Sequence, residues 1–406
     1  MNQILKVVVA GEVDAGKSTL IGRLLFETGS LHEGIVEDIS HVSRSLGNSF
    51  EFAYLLDSFE EERQGRLTID TTQVFCNAGR DKQLVLIDVP GHRELMSNML
   101  SGSSFADTAV LVVDIQRLIT IDTLRHAWIL KFLGIDSVIV AMNKLDSSGF
   151  SRSGFTKASA QVSHLLEQNA MTCDFIVPLS ARQGDNLVKR SKNMPWYRGP
   201  VLFDLLKAGF KKRAHRYFRM PIQDSYSIDN GEFLVGTILG GAIARKERVY
   251  ILPSGRKCIV RSLRTFTGSV QRLSYPQSIG VQLEDGPGIC RGQVMCKPPL
   301  PRIGNEVRVK IFCVSSLRSR EHFTLRCAAQ EVAARLADID AVRNIDDLKP
   351  KNIPASFEPG DIIDAVIRTE LPLVYDTLQQ NNSLSRFIIH QSDGICAFGL
   401  VESKRA

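Results

Sequence analysis

The chain has 406 residues, 44% apolar and 23% charged, which provides side-chain volume for more than one hydrophobic core and leaves no compositional case for disorder. With 50 Lys and Arg against 44 Asp and Glu, the net charge of +6 permits an anionic partner without requiring one. Eight cysteines without a CxxC pair or a zinc-ligand spacing predict reduced, mostly buried thiols, and no apolar run is long enough to span a bilayer, so the expectation is a cytoplasmic chain without a membrane partner.

In chain order, the first half alternates short apolar runs with segments of helical length. The runs Ile4–Ala10, Leu84–Ile87, Ala109–Val113, Val138–Met142 and Phe175–Pro178 are apolar on both faces, as strands of a parallel sheet covered by helices on both sides must be. Ligands of such sheets bind beyond the C-terminal ends of the strands, which is where the motifs below fall. A basic connector, Lys211-Lys212-Arg213-Ala214-His215-Arg216, reads as solvated linker. Beyond it the texture changes to short strand-like runs broken by Gly and Pro, such as Phe233–Leu239, Arg248–Leu252 and Ile259–Leu263, which predict small β-barrels. The proline-dense Lys297-Pro298-Pro299-Leu300-Pro301 marks a second joint. The expected division is an α/β domain over residues 1–210, then β-barrels over 217–298 and 301–406.

The first chemical motif is Gly11-Glu12-Val13-Asp14-Ala15-Gly16-Lys17-Ser18, directly after the first strand and before the helical run that opens with Thr19. In a GxxxxGKS loop the glycines let backbone N–H groups converge on phosphate oxygens, the Lys17 ammonium reaches the β- and γ-phosphates, and the Ser18 hydroxyl can ligate Mg²⁺. A plain glycine turn needs no Lys and Ser at those offsets. The second motif, Asp88-Val89-Pro90-Gly91-His92, closes the strand Leu84–Ile87. Asp88 can hold Mg²⁺ through a bound water, the Gly91 amide can donate to a γ-phosphate, and His92 can orient an attacking water. The third, Asn143-Lys144-Leu145-Asp146, follows the strand Val138–Met142, and Ser180-Ala181 follows Phe175–Pro178. A carboxylate at Asp146 can accept from guanine N1–H and the exocyclic amine together, a pattern adenine lacks. Between the first two motifs, Glu60–Asp70 is the place for a switch loop, with Thr68 a candidate hydroxyl for Mg²⁺ and Thr71 and Thr72 nearby competitors. Together these residues imply a chain that binds and hydrolyses GTP with Mg²⁺, with Lys17, Thr68 and His92 as catalytic candidates.

With these motifs in order, the chain resembles the translation-factor GTPases. GEVDAGKST, Thr68-Ile69-Asp70, DVPGH, NKLD and the SAR stretch match that family's five nucleotide motifs, and Asn193–Pro200 is similar to the ending of its GTP-binding domain. Within the family the resemblance is strongest to the large, GTPase subunit of bacterial sulfate adenylyltransferase. It includes Leu56-Asp57-Ser58-Phe59-Glu60-Glu61-Glu62-Arg63 and the Leu252-Pro253-Ser254-Gly255 turn. The resemblance implies a P-loop GTPase domain followed by two β-barrels. It also implies a separate small subunit, joined in a heterodimer or larger complex, that makes adenylyl sulfate from ATP and sulfate. No SGGxDS-type loop and no HxGH motif occurs in this chain, so ATP activation falls to the partner. Two other readings are an elongation-type factor carrying aminoacyl-tRNA and a non-hydrolysing GTP-binding scaffold; nucleic acid is a partner only in the former. Three departures stand out. Arg66 occupies a usual glycine position, the loop Gln116-Arg117-Leu118-Ile119 lacks a glycine, and Glu12 places a carboxylate in a phosphate loop, where it is expected to face solvent or a cation.

Overall fold

Strands apolar on both faces need cover on both sides, and the first half of the chain supplies it. The computed structural model describes residues 3–31, 52, 73–80, 82–88, 106–117, 121–132, 135, 137–168, 171–209, 217–228, 231–275, 277–284, 286, 288–345, 349–377, 380–391 and 394–402. The chain forms two units, Met1–Arg213 and Ala214–Ala406.

In the first unit six strands form one sheet: Gln3–Gly11 (β1), Gln73–Asn77 (β2), Lys82–Asp88 (β3), Thr108–Asp114 (β4), Ser137–Asn143 (β5) and Thr172–Pro178 (β6), in the order β2-β3-β1-β4-β5-β6. All neighbours run parallel except β2, which pairs antiparallel with β3. The helices among the described residues are Lys17–Glu27 (α1), Ile121–Phe132 (α2), Arg152–Gln168 (α3) and Leu202–Gly209 (α4). Leu5, Val7 and Val9 of β1 pack with Leu20, Ile21, Leu24 and Leu25 of α1 and Leu202 and Leu206 of α4. Val8 and Ala10 point the other way and are equally buried, so a one-residue slip of β1 would exchange two apolar sets rather than expose one. What fixes the register is the strand end. Val9 lies opposite Asp88, Gly11 opposite Val112, and Asp114 opposite Asn143, so the chemistry-bearing residues of four strands line one edge of the sheet.

The second unit holds two closed antiparallel barrels of six strands each. The first runs Arg248–Leu252, Val294–Cys296, Arg219–Ile228, Gly231–Ile238, Gln277–Leu283, Arg256–Thr265 and back to its start. The second runs Phe323–Cys327, Arg386–Gln391, Gly394–Val401, Arg302–Cys313, Asp361–Tyr375, Gln330–Asn344 and closes likewise. Closure removes the unpaired edges that open sheets expose. Alternate residues fill each interior, as with Val307, Val309, Ile311 and Cys313 along one strand. All eight thiols are free and six of them are buried, with Cys173 half-buried and Cys290 exposed.

Leu252, Val294 and Cys296 of the first barrel meet Val374 and Leu384 of the second in a small shared core. Beside it lies an ion pair with both side chains at 0% exposure, Arg219 Nε to Asp376 Oδ2 at 2.8 Å. The remaining guanidinium donors reach the carbonyls of Phe218, Lys297 and Pro299 at 3.0, 3.0 and 2.7 Å, so every charge placed there is answered. Removing one partner leaves the other buried and uncompensated. Asp376→Ala is therefore expected to destabilise the barrel unit by about 3–5 kcal/mol, read as a lowered denaturation midpoint. A loss under about 1 kcal/mol would contradict this reading of the pair.

Candidate nucleotide site

The loop between β1 and α1 is held in shape by two glycines with separate reasons. A Cβ on Gly11, at φ +153°, would sit 2.4 Å from the Val112 carbonyl oxygen, and one on Gly16, at φ +90°, would sit 2.5 Å from Asn143 Nδ2. The first glycine lets β4 approach, and the second lets the base motif pack on the phosphate motif. Asp14 adds a left-handed residue at φ 64°, and the Ala15 amide closes the turn on the Glu12 carbonyl at 3.2 Å. Gly16 caps α1 with no side-chain hydrogen bond, and the first turn carries no acidic residue. Its leading N–H groups and positive helix end therefore suit an anion.

Lys17 donates to the carbonyls of Gly11 at 2.7 Å and Glu12 at 2.8 Å, which folds its ammonium back over the loop. Burial pushes this ammonium below its ordinary value, opposed by the carboxylates of Asp88, Asp14 and Glu12 in that order. Ser18 and Thr19 follow in the first turn, both half-buried. Asp88, half-buried, ends β3.

Asn143 joins the phosphate and base segments. Buried at 2% exposure, it donates through Nδ2 to the Ala15 carbonyl at 2.8 Å and accepts through Oδ1 from the Ala181 amide at 2.9 Å. Lys144 adopts a left-handed φ of 63° and pairs its ammonium with Asp114 Oδ2 at 2.8 Å; Asp114 Oδ1 in turn accepts from the Gln116 amide at 2.9 Å. The short 3₁₀ turn Leu145–Ser148 then presents Asp146. Its carboxylate is half-exposed and makes no hydrogen bond among the described residues. Ser180 and Ala181 are buried at 0% and 1%. Arg23 of α1 secures the loop beyond them by donating to the carbonyls of Arg182 and Gln183 at 3.1 and 3.2 Å.

The structure thus brings Gly11–Thr19, Asp88, Asn143, Lys144, Asp146, Ser180 and Ala181 to one sheet edge. Val89, Pro90, Gly91, His92, Thr68, Arg66 and the switch segment 60–70 lie outside the described residues, as do Thr71, Thr72, Leu118, Ile119 and the connector 211–216. The half-exposed Glu12 carboxylate has a partner the sequence does not suggest, accepting from the Thr123 hydroxyl at 2.6 Å.

Three residues of the neighbourhood escaped the sequence reading. Asp114 could have been found as an aspartate ending an apolar strand, the same signal that marks Asp88. Thr123 and His126 lie on α2, where nothing in the sequence singles them out. His126 is buried at 3%, and its Nδ1 has no hydrogen-bond partner among the described residues.

Family models add to this geometry. The Elongation factor Tu GTP binding domain matches residues 2–226, and the GTP-eEF1A C-terminal domain-like family matches residues 306–402. The chain belongs to the translation-factor GTPase family. Its first unit is accordingly a GTP-binding domain. Among curated relatives, Sulfate adenylyltransferase subunit 1 of Bacteroides fragilis is 30% identical over 95% of this chain and 83% of its own length. Elongation factor 1-alpha of Archaeoglobus fulgidus is 32% identical over 98% of this chain and 97% of its own, and that of Methanoculleus marisnigri is 30% identical over 98% and 96%.

Burial pushes the His126 imidazole down to about 4, with the nearby Lys17 ammonium adding to the effect. Unfolded, it titrates near 6.5, so between these values the unfolded chain binds more protons and stability falls as pH is lowered. The expected loss across that window is at most about 3 kcal/mol. His126→Gln should flatten this part of the pH profile in denaturant titrations of the GTP-binding domain, and an unchanged slope would contradict the assignment.

Proposed function

We propose that the chain is the GTPase subunit of a sulfate adenylyltransferase, coupling GTP hydrolysis to adenylyl sulfate formation by a partner small subunit. The observation that carries the nucleotide half is the Asn143 bridge, which seats the phosphate loop and the base-reading turn on one residue. A triphosphate would lie on the N-terminal turn of α1, with backbone N–H groups and Lys17 neutralising its charge. Asp146 would take guanine N1–H and the exocyclic amine, while Lys144, paired with Asp114, would flank the base. Lys17, Thr68 and His92 are the residues proposed to carry hydrolysis. Within this reading, Lys17 stabilises charge on the transferred phosphoryl group and His92 orients water.

Mg²⁺ fits the donor set. Ser18 and Asp88 offer hard oxygen atoms, Asp88 is the first of the carboxylates whose charge acts on Lys17, and no cluster of three or more His, Cys, Asp or Glu that could hold a metal ion occurs among the described residues. Ser18, Thr68 and Asp88 would hold the ion, which supplies charge neutralisation at the β- and γ-phosphate oxygens.

The sulfate half is supported by the relatives named subunit 1, similar over nearly the whole chain, and by the absence from the sequence of an ATP-activating motif. Forming a phosphate–sulfate anhydride is uphill, so GTP turnover must be linked to the partner's site. No helix among the described residues is long and apolar enough to cross a membrane; the cytoplasm is the proposed compartment.

The test is GTP hydrolysis by the purified chain, alone and with a sulfate adenylyltransferase small subunit from the same genome, ATP and sulfate. Expected are complex formation, faster GTP turnover and adenylyl sulfate. If GTP is hydrolysed but the small subunit neither binds nor stimulates, the sulfate assignment is contradicted. GTP-dependent, salt-sensitive binding of aminoacyl-tRNA would then support the elongation-type reading.

A further inference from the structure

A carboxylate inside a phosphate loop is a liability, because like charges at close range repel by on the order of several kcal/mol in a partly buried site. Glu12 is such a carboxylate. It follows Gly11 directly, its own carbonyl helps hold the Lys17 ammonium at 2.8 Å, and its charge reaches that ammonium. Yet its side chain is tied down: the Thr123 hydroxyl donates to Glu12 Oε1 at 2.6 Å. Thr123 belongs to the first turn of α2, at 2% exposure, and a hydroxyl so enclosed cannot follow the carboxylate if it moves.

The same segment also meets the other acidic side chain of the loop. Arg117, just after β4, approaches Asp14 at 3.9 Å. That pair is exposed and weak, whereas the Thr123 hydroxyl that meets Glu12 is buried and fixed on a helix. We infer that Thr123 is a positioning residue that holds the Glu12 carboxylate off the phosphate side of the loop, so that α2 helps set the affinity for GTP.

The inference rests on the proposed seating of the triphosphate in this loop and adds a residue outside every nucleotide motif. Its consequence is a coupling. Removing the hydroxyl releases the charge toward the phosphates, and neutralising the charge makes the hydroxyl dispensable. Because GTP carries one more charged group than GDP at the loop, GTP should suffer more.

The experiment is equilibrium binding of Mg²⁺-GTP and Mg²⁺-GDP to the full chain for the wild type, Thr123→Val, Glu12→Gln and the double variant. Thr123→Val is nearly isosteric and should weaken GTP binding on the order of tenfold, with GDP affected less. Glu12→Gln on that background should recover most of the loss, although valine still occupies position 123; a residue that merely packs α2 would show no such rescue. Glu12→Gln alone keeps an acceptor for Thr123 and should tighten GTP binding by a smaller factor than in the Thr123→Val background. Wild-type affinity in Thr123→Val, or a loss that the double variant does not recover, overturns the inference. So does weaker GTP binding by Glu12→Gln alone, which settles the matter even where Thr123→Val does not fold. If the wild type binds neither nucleotide, the seating of GTP in this loop fails first and the inference falls with it.

Discussion

One buried amide organises the candidate site. Asn143 spends its donor on the Ala15 carbonyl and its acceptor on the Ala181 amide, so the phosphate loop and the two base-side loops share a single reference point. A side chain committed at both ends loses its rotameric freedom once, on folding, instead of each time a ligand arrives. Gly16 follows from this, since a side chain there would collide with the Asn143 amide. The Lys144–Asp114 pair and the Arg23 contacts to residues 182 and 183 then stiffen either side of the bridge.

The barrels solve a different problem with the same economy of polar groups. Each closes on itself, and the contact between them combines a few apolar side chains with Arg219 and Asp376, whose charges are fully enclosed. Such a pair adds little net stability over an apolar replacement, but it admits few alternative arrangements.

Much of the parallel sheet was legible because its period and its punctuation agreed. Runs such as Leu84–Ile87 and Val138–Met142 are apolar on both faces, and each is followed by a residue with chemistry to do, which is how the structure uses them in β3 and β5. The barrels were legible only as a change of texture, because their strands are short and their closure depends on pairings distant in sequence. The antiparallel edge strand β2 went unread: Gln73–Asn77 alternates in burial over only five residues and no turn signal marks its start. Within the site, loop motifs were visible because glycine, lysine and asparagine are demanded there by sterics and charge. The Glu12–Thr123 contact was not visible, since it links residues 111 positions apart and a threonine in a helix has many ordinary uses.

The most direct test of the account is the nucleotide selectivity of the purified chain and of Asp146→Asn, measured as affinities for GTP, ATP and xanthosine triphosphate with Mg²⁺. The wild type should prefer GTP to ATP by about a thousandfold or more, because ATP would leave the Asp146 carboxylate unpaired in the base pocket. The variant should lose GTP and gain xanthosine triphosphate, whose carbonyl at the 2-position accepts from the new amide. A wild type that binds ATP as well as GTP, or a variant whose base preference is unchanged, would contradict the claim that this sheet edge reads guanine.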